Sequence, residues 1–251
     1  MTAPATVVDA HRLLGPIPTD DVVSSDVPGL LGELDRLRID RANVTHALSL
    51  YADPAGGNEA LFGETSGIAR LHPVPVVIPG VPGASVPDRP ELLADWYERG
   101  VRLVRLCPVR HRFDLADPVA GEWLDAISRP GLAVAVALDE TSPTALRALA
   151  AAHPRLGVLL LAPGYRRLRE LAALLRAAPM IKVETGTLIA QRGIEWLAGQ
   201  CGATRLVFGT GAPLWDDCGP RYQLDHLDLP PADVARIAEG SLESLLTGRA
   251  P

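Results

Sequence analysis

Thr6-Val7-Val8-Asp9-Ala10-His11 is a short apolar run that ends on an acid and an imidazole, and Arg12-Leu13-Leu14-Gly15 continues it. Its valine-rich start reads as a buried strand. The residues after that strand separate two architectures. A doubly wound sheet that binds nucleotides puts a glycine-rich loop after its first strand. Asp9-Ala10-His11-Arg12 is no such loop. Seven more apolar runs of strand length come later, at 44–50, 74–78, 101–106, 133–138, 158–161, 181–184 and 206–208.

Helical stripes lie between them. Leu30, Leu31, Leu34 and Leu37 share one face, as do Leu92, Leu93 and Trp96, and Val119, Trp123, Leu124 and Ile127. Leu168, Leu171, Leu174 and Leu175 form another stripe, and Leu188, Ile189, Ile194 and Leu197 come after the seventh run. Pro143 fits the first turn of a helix reaching Ala152, and a last helix runs from about Ala232 to Leu246. A weaker helix spans 58–69, where Gly63 and Gly67 lower the propensity. Eight strand–helix units predict an α/β fold, a (β/α)8 TIM barrel, as one domain over 1–251. Segments 15–30, 79–90 and 209–225, rich in Pro, Gly, Ser and Asp, read as loops over its rim.

Composition narrows the function. At 47% hydrophobic the chain is not disordered. It carries 24 Lys and Arg against 30 Asp and Glu, a net charge of −6, with no basic tract, which argues against nucleic acid as partner. Cys107, Cys201 and Cys218 are too scattered for a disulfide framework or a thiolate zinc site. No apolar run reaches membrane-spanning length, and Met1–Thr6 lacks the features of a secretion signal. A soluble cytoplasmic protein without membrane contact is the expectation.

Barrel chemistry sits at the C-terminal strand ends. That places His11, Arg105, Cys107, Asp139, Glu140, Glu184, Thr185, Thr210 and Asp216 near one mouth. His11 suits acid–base or ligand work, or else a bond to a loop carbonyl. Glu184 and Lys182 share a strand face, as an acid–base pair or a core salt bridge. Of Asp139 and Glu140, one faces the mouth and the other caps the next helix; Asp139 is the stronger catalytic candidate. Arg105, Arg110, His111 and Arg112 form a basic rim for a substrate anion, or pair with surface acids. Cys107 reads as a small buried residue. His46 reads as internal to its strand, and His72 and His153 as structural residues at helix ends. His226 receives no role.

The segment Val7-Val8-Asp9-Ala10-His11-Arg12-Leu13-Leu14-Gly15 resembles the opening of the amidohydrolase superfamily, in its aminocarboxymuconate-semialdehyde-decarboxylase-like branch. Arg205-Leu206-Val207-Phe208-Gly209-Thr210-Gly211-Ala212-Pro213 and the ending Ile237-Ala238-Glu239-Gly240-Ser241-Leu242-Glu243-Ser244-Leu245-Leu246 extend the resemblance over nearly the whole chain. It implies a distorted (β/α)8 barrel, and metal-dependent hydrolysis or nonoxidative decarboxylation. The family's Asp-x-His-x-His motif keeps its first histidine as His11, with Leu13 in place of the second. Ala137 or Leu138, then Ala162, stand where the fifth- and sixth-strand histidines belong, and Gly211 replaces the catalytic aspartate.

The resemblance therefore implies the fold and His11, but not the metal; no cofactor is expected. The leading expectation is a divergent hydrolase of a small amide, ester or lactone. His11, Glu184 and Asp139 would be catalytic, and Arg105, His111 and Lys182 would bind an anionic small molecule. The alternatives are a noncatalytic metabolite- or partner-binding barrel, and a nonoxidative decarboxylase or other lyase acting on a small carboxylate. A homodimer is the assembly implied.

Overall fold

The computed structural model describes residues 6–19, 22–23 and 25–248, so the secretion-signal reading of the first residues lies largely outside it. The chain opens with β1 (Val8–Leu14), α1 (Val27–Leu37), β2 (Arg41–His46), α2 (Ala47–Tyr51), α3 (Pro54–Thr65) and β3 (Leu71–Pro73). It continues through α4 (Leu92–Glu98), β4 (Leu103–Leu106), α5 (Pro118–Ser128), β5 (Ala133–Ala137), α6 (Pro143–Ala152) and β6 (Val158–Leu161). Then come α7 (Leu168–Ala177), β7 (Ile181–Glu184), α8 (Gly193–Cys201), β8 (Leu206–Val207), α9 (Cys218–Asp225), α10 (Pro231–Ala235) and α11 (Ser241–Thr247). A π-helical turn, Arg236–Gly240, joins the last two.

All strand pairs are parallel, in two ladders, β1-β2-β3 and β4-β5-β6-β7-β8. Hydrogen bonds bridge both seams between the ladders. Arg105 N donates to Pro75 O (2.8 Å) and Val77 N to Arg105 O (2.9 Å). Ala10 N donates to Phe208 O (3.0 Å), Gly211 N to His11 O (2.9 Å) and Leu13 N to Ala212 O (2.9 Å). The wall is thus an eight-stranded TIM barrel.

Strand alternation fills both sides of this wall. Ala133, Ala135 and Ala137 of β5 cluster inside with Leu159, Leu161 and Val207, while Val134, Val136, Val158, Leu160, Ile181 and Val183 pack outward against helices. Both faces must be apolar, because parallel strands are covered on both sides.

Many of the prolines start helices. Asp53-Pro54, Asp117-Pro118 and Ser142-Pro143 each pair a capping side chain with a proline that needs no amide partner. The cap oxygens accept from Gly56 N (3.0 Å), Val119 N (2.7 Å) and Ala145 N (3.1 Å). Each such cap contributes about 1 kcal/mol.

Several boundaries differ from the sequence expectation. The second strand ends at His46, and the apolar residues after it form α2, because a short apolar run does not distinguish strand from buried helix. His46 is the reason: its Nδ1 accepts from Leu48 N (3.2 Å) and caps that helix. The third strand lies earlier, at Leu71–Pro73, so His72 belongs to a strand and not to a helix end. His153 does close α6, its Nδ1 2.8 Å from Asp125 Oδ1. The helix expected at 58–69 starts at Pro54, behind its Asp53 cap. Leu188 and Ile189 precede α8 instead of joining its stripe, and the expected rim loop 209–225 contains α9. Neither Asp139 nor Glu140 caps α6; Ser142 does. Among the described residues, no helix is long and apolar enough to cross a membrane.

Candidate active site

The C-terminal end of β1 departs from simple alternation. Its register against β2 slips between Asp9 and Arg12, a bulge of the kind that re-aims side chains at barrel rims. Asp9 is fully buried. Its Oδ1 accepts from the backbone amides of His11 and Thr210, both at 3.0 Å. Its Oδ2 accepts from Arg12 Nε (2.8 Å) and Thr210 Oγ1 (2.7 Å). Asp9 therefore holds the backbone around His11 and does not touch its ring. Arg12 continues outward to Asp217 at 3.2 Å, which also accepts from Arg36. Burial pushes the Asp217 carboxyl up, but Arg12 and Arg36 together outweigh it and hold it below the usual range.

The His11 ring bridges two charged groups. Nδ1 lies 3.3 Å from Glu184 Oε2, and Nε2 lies 2.7 Å from Arg105 Nη1. A guanidinium can only donate. Nε2 is therefore the accepting nitrogen, and Nδ1 carries the proton it gives to Glu184. The imidazole is neutral in this arrangement, and only 4% of His11 is exposed.

Glu184 is set by backbone as much as by His11. Ala162, held at φ 46°, donates its amide to Glu184 Oε2 at 2.8 Å. A left-handed alanine is strained, so this turn is maintained by its surroundings. Gly209 is glycine for a steric reason: a Cβ there would stand 2.7 Å from Glu184 Cγ. Two buried atoms of the triad lack a hydrogen-bond partner among the described residues: Glu184 Oε1 and Arg105 Nε.

Three of the six expected site residues, His11, Glu184 and Arg105, therefore meet. The other three do not join them. Asp139 is exposed, and its neighbour Glu140 is the buried one, accepting from Arg110 N at 2.9 Å. His111 is half-buried at the rim; burial lowers its pKa, partly opposed by Glu140. Lys182 shares the inward face of β7 with Glu184, as expected, but at the opposite end of the barrel. There its Nζ donates to Ser241 O (2.6 Å) and to Ser244 Oγ. Cys107 is buried in an apolar cluster with Leu13, Ile17, Ala47, Leu50 and Val76, and burial pushes its thiol up, away from the nucleophilic thiolate. The sequence reading missed Arg12, Asp217 and Ala162, and the anchoring role of Thr210.

Among the described residues, one group has the donor spacing for an ion: Asp216, Asp217 and Cys218 on the outer rim. Asp217 there is already paired to two arginines.

The structure resembles an uncharacterized TIM-barrel protein from Bordetella bronchiseptica at TM-score 0.75 and 14% identity, covering 97% of this chain and 100% of that one. It is similar to 5-carboxyvanillate decarboxylase from Sphingomonas paucimobilis at TM-score 0.73 and 14% identity, covering 98% and 99%. A third similar structure is a dihydroxybenzoic acid decarboxylase from Polaromonas, solved with manganese and the inhibitor 2-nitroresorcinol. It has TM-score 0.71 and 12% identity, and the match covers 98% of each chain. No curated protein sequence matches. The family model named Amidohydrolase matches residues 58–241, well over half of the sequence, and the chain belongs to the amidohydrolase family.

Proposed function

We propose that the chain is a metal-independent lyase of the decarboxylase-like kind, releasing CO2 from a small carboxylate at the His11 site. The observation that carries this is the buried Glu184–His11–Arg105 line with its two unused hydrogen-bonding atoms. Decarboxylases among the similar folds weight the reading toward a lyase and away from the hydrolase expected first.

The residues present do not fit the family's divalent ion. His11 Nε2 faces a guanidinium nitrogen at 2.7 Å, a cation where an ion would have to sit. Leu13 packs in an apolar cluster, and Ala137, Ala162 and Gly211 offer no side-chain ligand. A catalytic ion needs about three protein ligands.

In this reading the guanidinium supplies the fixed positive charge. Arg105 Nε–H takes a substrate oxygen and draws the guanidinium off His11 Nε2. That nitrogen then takes a proton from a water molecule entering the site, while Glu184 still holds Nδ1–H. The bond between the substrate carbon and its carboxylate breaks, and CO2 leaves. The electron pair left on carbon takes that proton from His11 Nε2, which returns the ring to its starting neutral form, and the hydroxide left by the water combines with CO2 as bicarbonate. The substrate needs an adjacent hydroxyl or carbonyl to spread that charge. Cytoplasmic residence, a single domain and a homodimer are carried with this reading.

The test incubates the purified chain in D2O with a panel of hydroxybenzoates, following CO2 and deuterium at carbon by NMR. We expect turnover that survives chelator, and roughly 100-fold or greater loss in His11→Ala and Arg105→Gln, the scale of a removed acid–base group. A stoichiometric metal, or activity unchanged in His11→Ala, would overturn the reading. One observation favours a second reading, the noncatalytic barrel: His11 Nε2 is already occupied by Arg105 Nη1 at 2.7 Å, and both residues are buried. Saturable carboxylate binding with no CO2 would select it.

A further inference from the structure

The floor of the barrel, opposite the mouth, has two unlike halves. Beneath β5–β8 it is closed by α11. A Cβ on Gly157 would stand 2.8 Å from Leu245 Cδ1, Lys182 Nζ is bonded to Ser241 O, and Ser241 Oγ donates to Ala203 O at 3.1 Å. Beneath β1–β4 the same helix leaves a cavity of about 190 Å³, walled by apolar side chains such as Val8, Val74, Leu103 and Leu242.

His72 lines this cavity from β3. Alternation puts it there: Leu71 packs outward with the helices, Val74 packs inward with Val8 and Leu103, and His72 has the parity of Val74. The ring is half-buried and makes no hydrogen bond among the described residues. Its nitrogens keep accessible surface, where both nitrogens of His111 at the rim are sealed. Burial first, and the Arg41 cation second, lower the His72 pKa, so at neutral pH the ring is uncharged. A neutral imidazole presents one N–H and one lone pair.

The surroundings select what can answer that lone pair. Arg41 at the cavity edge is paired with Glu239. Arg102 stacks 3.8 Å over the Tyr97 ring and donates to the carbonyls of Tyr97 and Val101; Glu243 is exposed. Two charges of each sign leave no net attraction for an ion. The walls take an apolar body, and the lone pair takes a donor, which a hydroxyl supplies. Size is adequate, since a dry cavity of ~150 Å³ holds benzene.

We propose that this floor cavity binds a small uncharged molecule of the phenol class, its apolar ring against the walls and its hydroxyl donating to the open ring nitrogen of His72. The site is separate from the His11 mouth and independent of its chemistry.

Phenol and toluene, which share a shape but not a donor, are the probes, titrated into the full chain at neutral pH and followed by methyl and imidazole NMR. We expect phenol to bind saturably, shifting the His72 ring protons and the Leu242 methyls. Toluene should bind about tenfold more weakly, the scale of one acceptor left unanswered. His72→Phe should bring phenol down to the level of toluene. Leu242→Trp, which fills the cavity, should abolish both and serves as a second variant if His72→Phe fails to fold. No saturable shift at the floor, phenol no tighter than toluene, phenol binding unchanged in His72→Phe, or shifts confined to the mouth would overturn the proposal.

Discussion

The mouth and the floor of the barrel handle buried polar side chains differently, and β7 touches both. Lys182 and Glu184 point inward from it, separated by about 6–7 Å of strand. At the mouth, charge answers charge: Asp9 holds Arg12, Arg12 reaches Asp217, and Glu184 and Arg105 share His11. At the floor, Lys182 is met by neutral groups, a carbonyl and a hydroxyl, and Asn43 by nothing within the described residues. Facing inward is thus a matter of parity, while the partner available depends on the height in the barrel.

The contrast is broken most severely at Asp9. Asp9→Ala leaves the Arg12 charge buried with its best partner gone, together with unanswered groups on Thr210. The expected cost is about 3–5 kcal/mol, the scale for breaking a buried pair, read as a drop in the urea midpoint. A loss below about 1 kcal/mol would mean that Asp217 alone satisfies Arg12.

At the floor the expected effect is smaller. Lys182→Met should cost about 0.5–1.5 kcal/mol, the net worth of a hydrogen bond, because Ser241 O still accepts from Ser244 Oγ at 3.0 Å. Its pH signature is more telling. Burial first, and Arg205 second, bring the Lys182 pKa down from 10.5 to about 8. Between those values the unfolded chain holds more protons than the folded one, so stability rises with pH from about 8 to 10.5. Urea midpoints at pH 7.5 and 10 should differ in the parent and converge in Lys182→Met.

The mildest test places an aspartate at Gly211, where the family resemblance implies one. Gly211 has φ 70°, and a Cβ there would lie 2.5 Å from Trp215 Cδ1. The backbone conformation costs a non-glycine residue about 1–2 kcal/mol. Trp215 is 52% exposed and free to swing aside. Gly211→Asp should therefore lower Tm slightly, and elemental analysis should find no stoichiometric ion, since one carboxylate beside His11 does not complete a ligand set. A bound ion would sharpen the contrast differently, by showing that Arg105 yields its place.

Much of this was legible in sequence because parallel barrels write their strands as apolar runs and their caps as Asp-Pro or Ser-Pro. That Lys182 and Glu184 both face inward came from alternation alone, but the expected ion pair between them does not form, because Lys182 bonds Ser241 O and Ser244 Oγ instead. The convergence of His11, Arg105 and Glu184 came from strand ends sharing one rim. Alternation failed at β1, where a bulge intervenes, and so the grip of Asp9 on Thr210 was not foreseen. Closeness to the strand favours Asp139 over Glu140, but the 3-10 turn at Leu138–Glu140 buries Glu140 and exposes Asp139. His46 stops its strand by capping the next helix, which no periodicity reveals.

The two seams carry a consequence of their own. Arg105 contributes its backbone to the joint between β3 and β4, and His11 contributes its carbonyl to the joint between β8 and β1. Their 2.7 Å side-chain contact is therefore a tie-rod across the lumen, coupling the two joints between the ladders. A ligand that claims Arg105 uncouples those joints at the same moment. Occupancy of the mouth would then be felt as loosening of the staves, with amide exchange quickening at Leu13, Val77 and Arg105 while β5 and β6, laddered on both sides, stay silent.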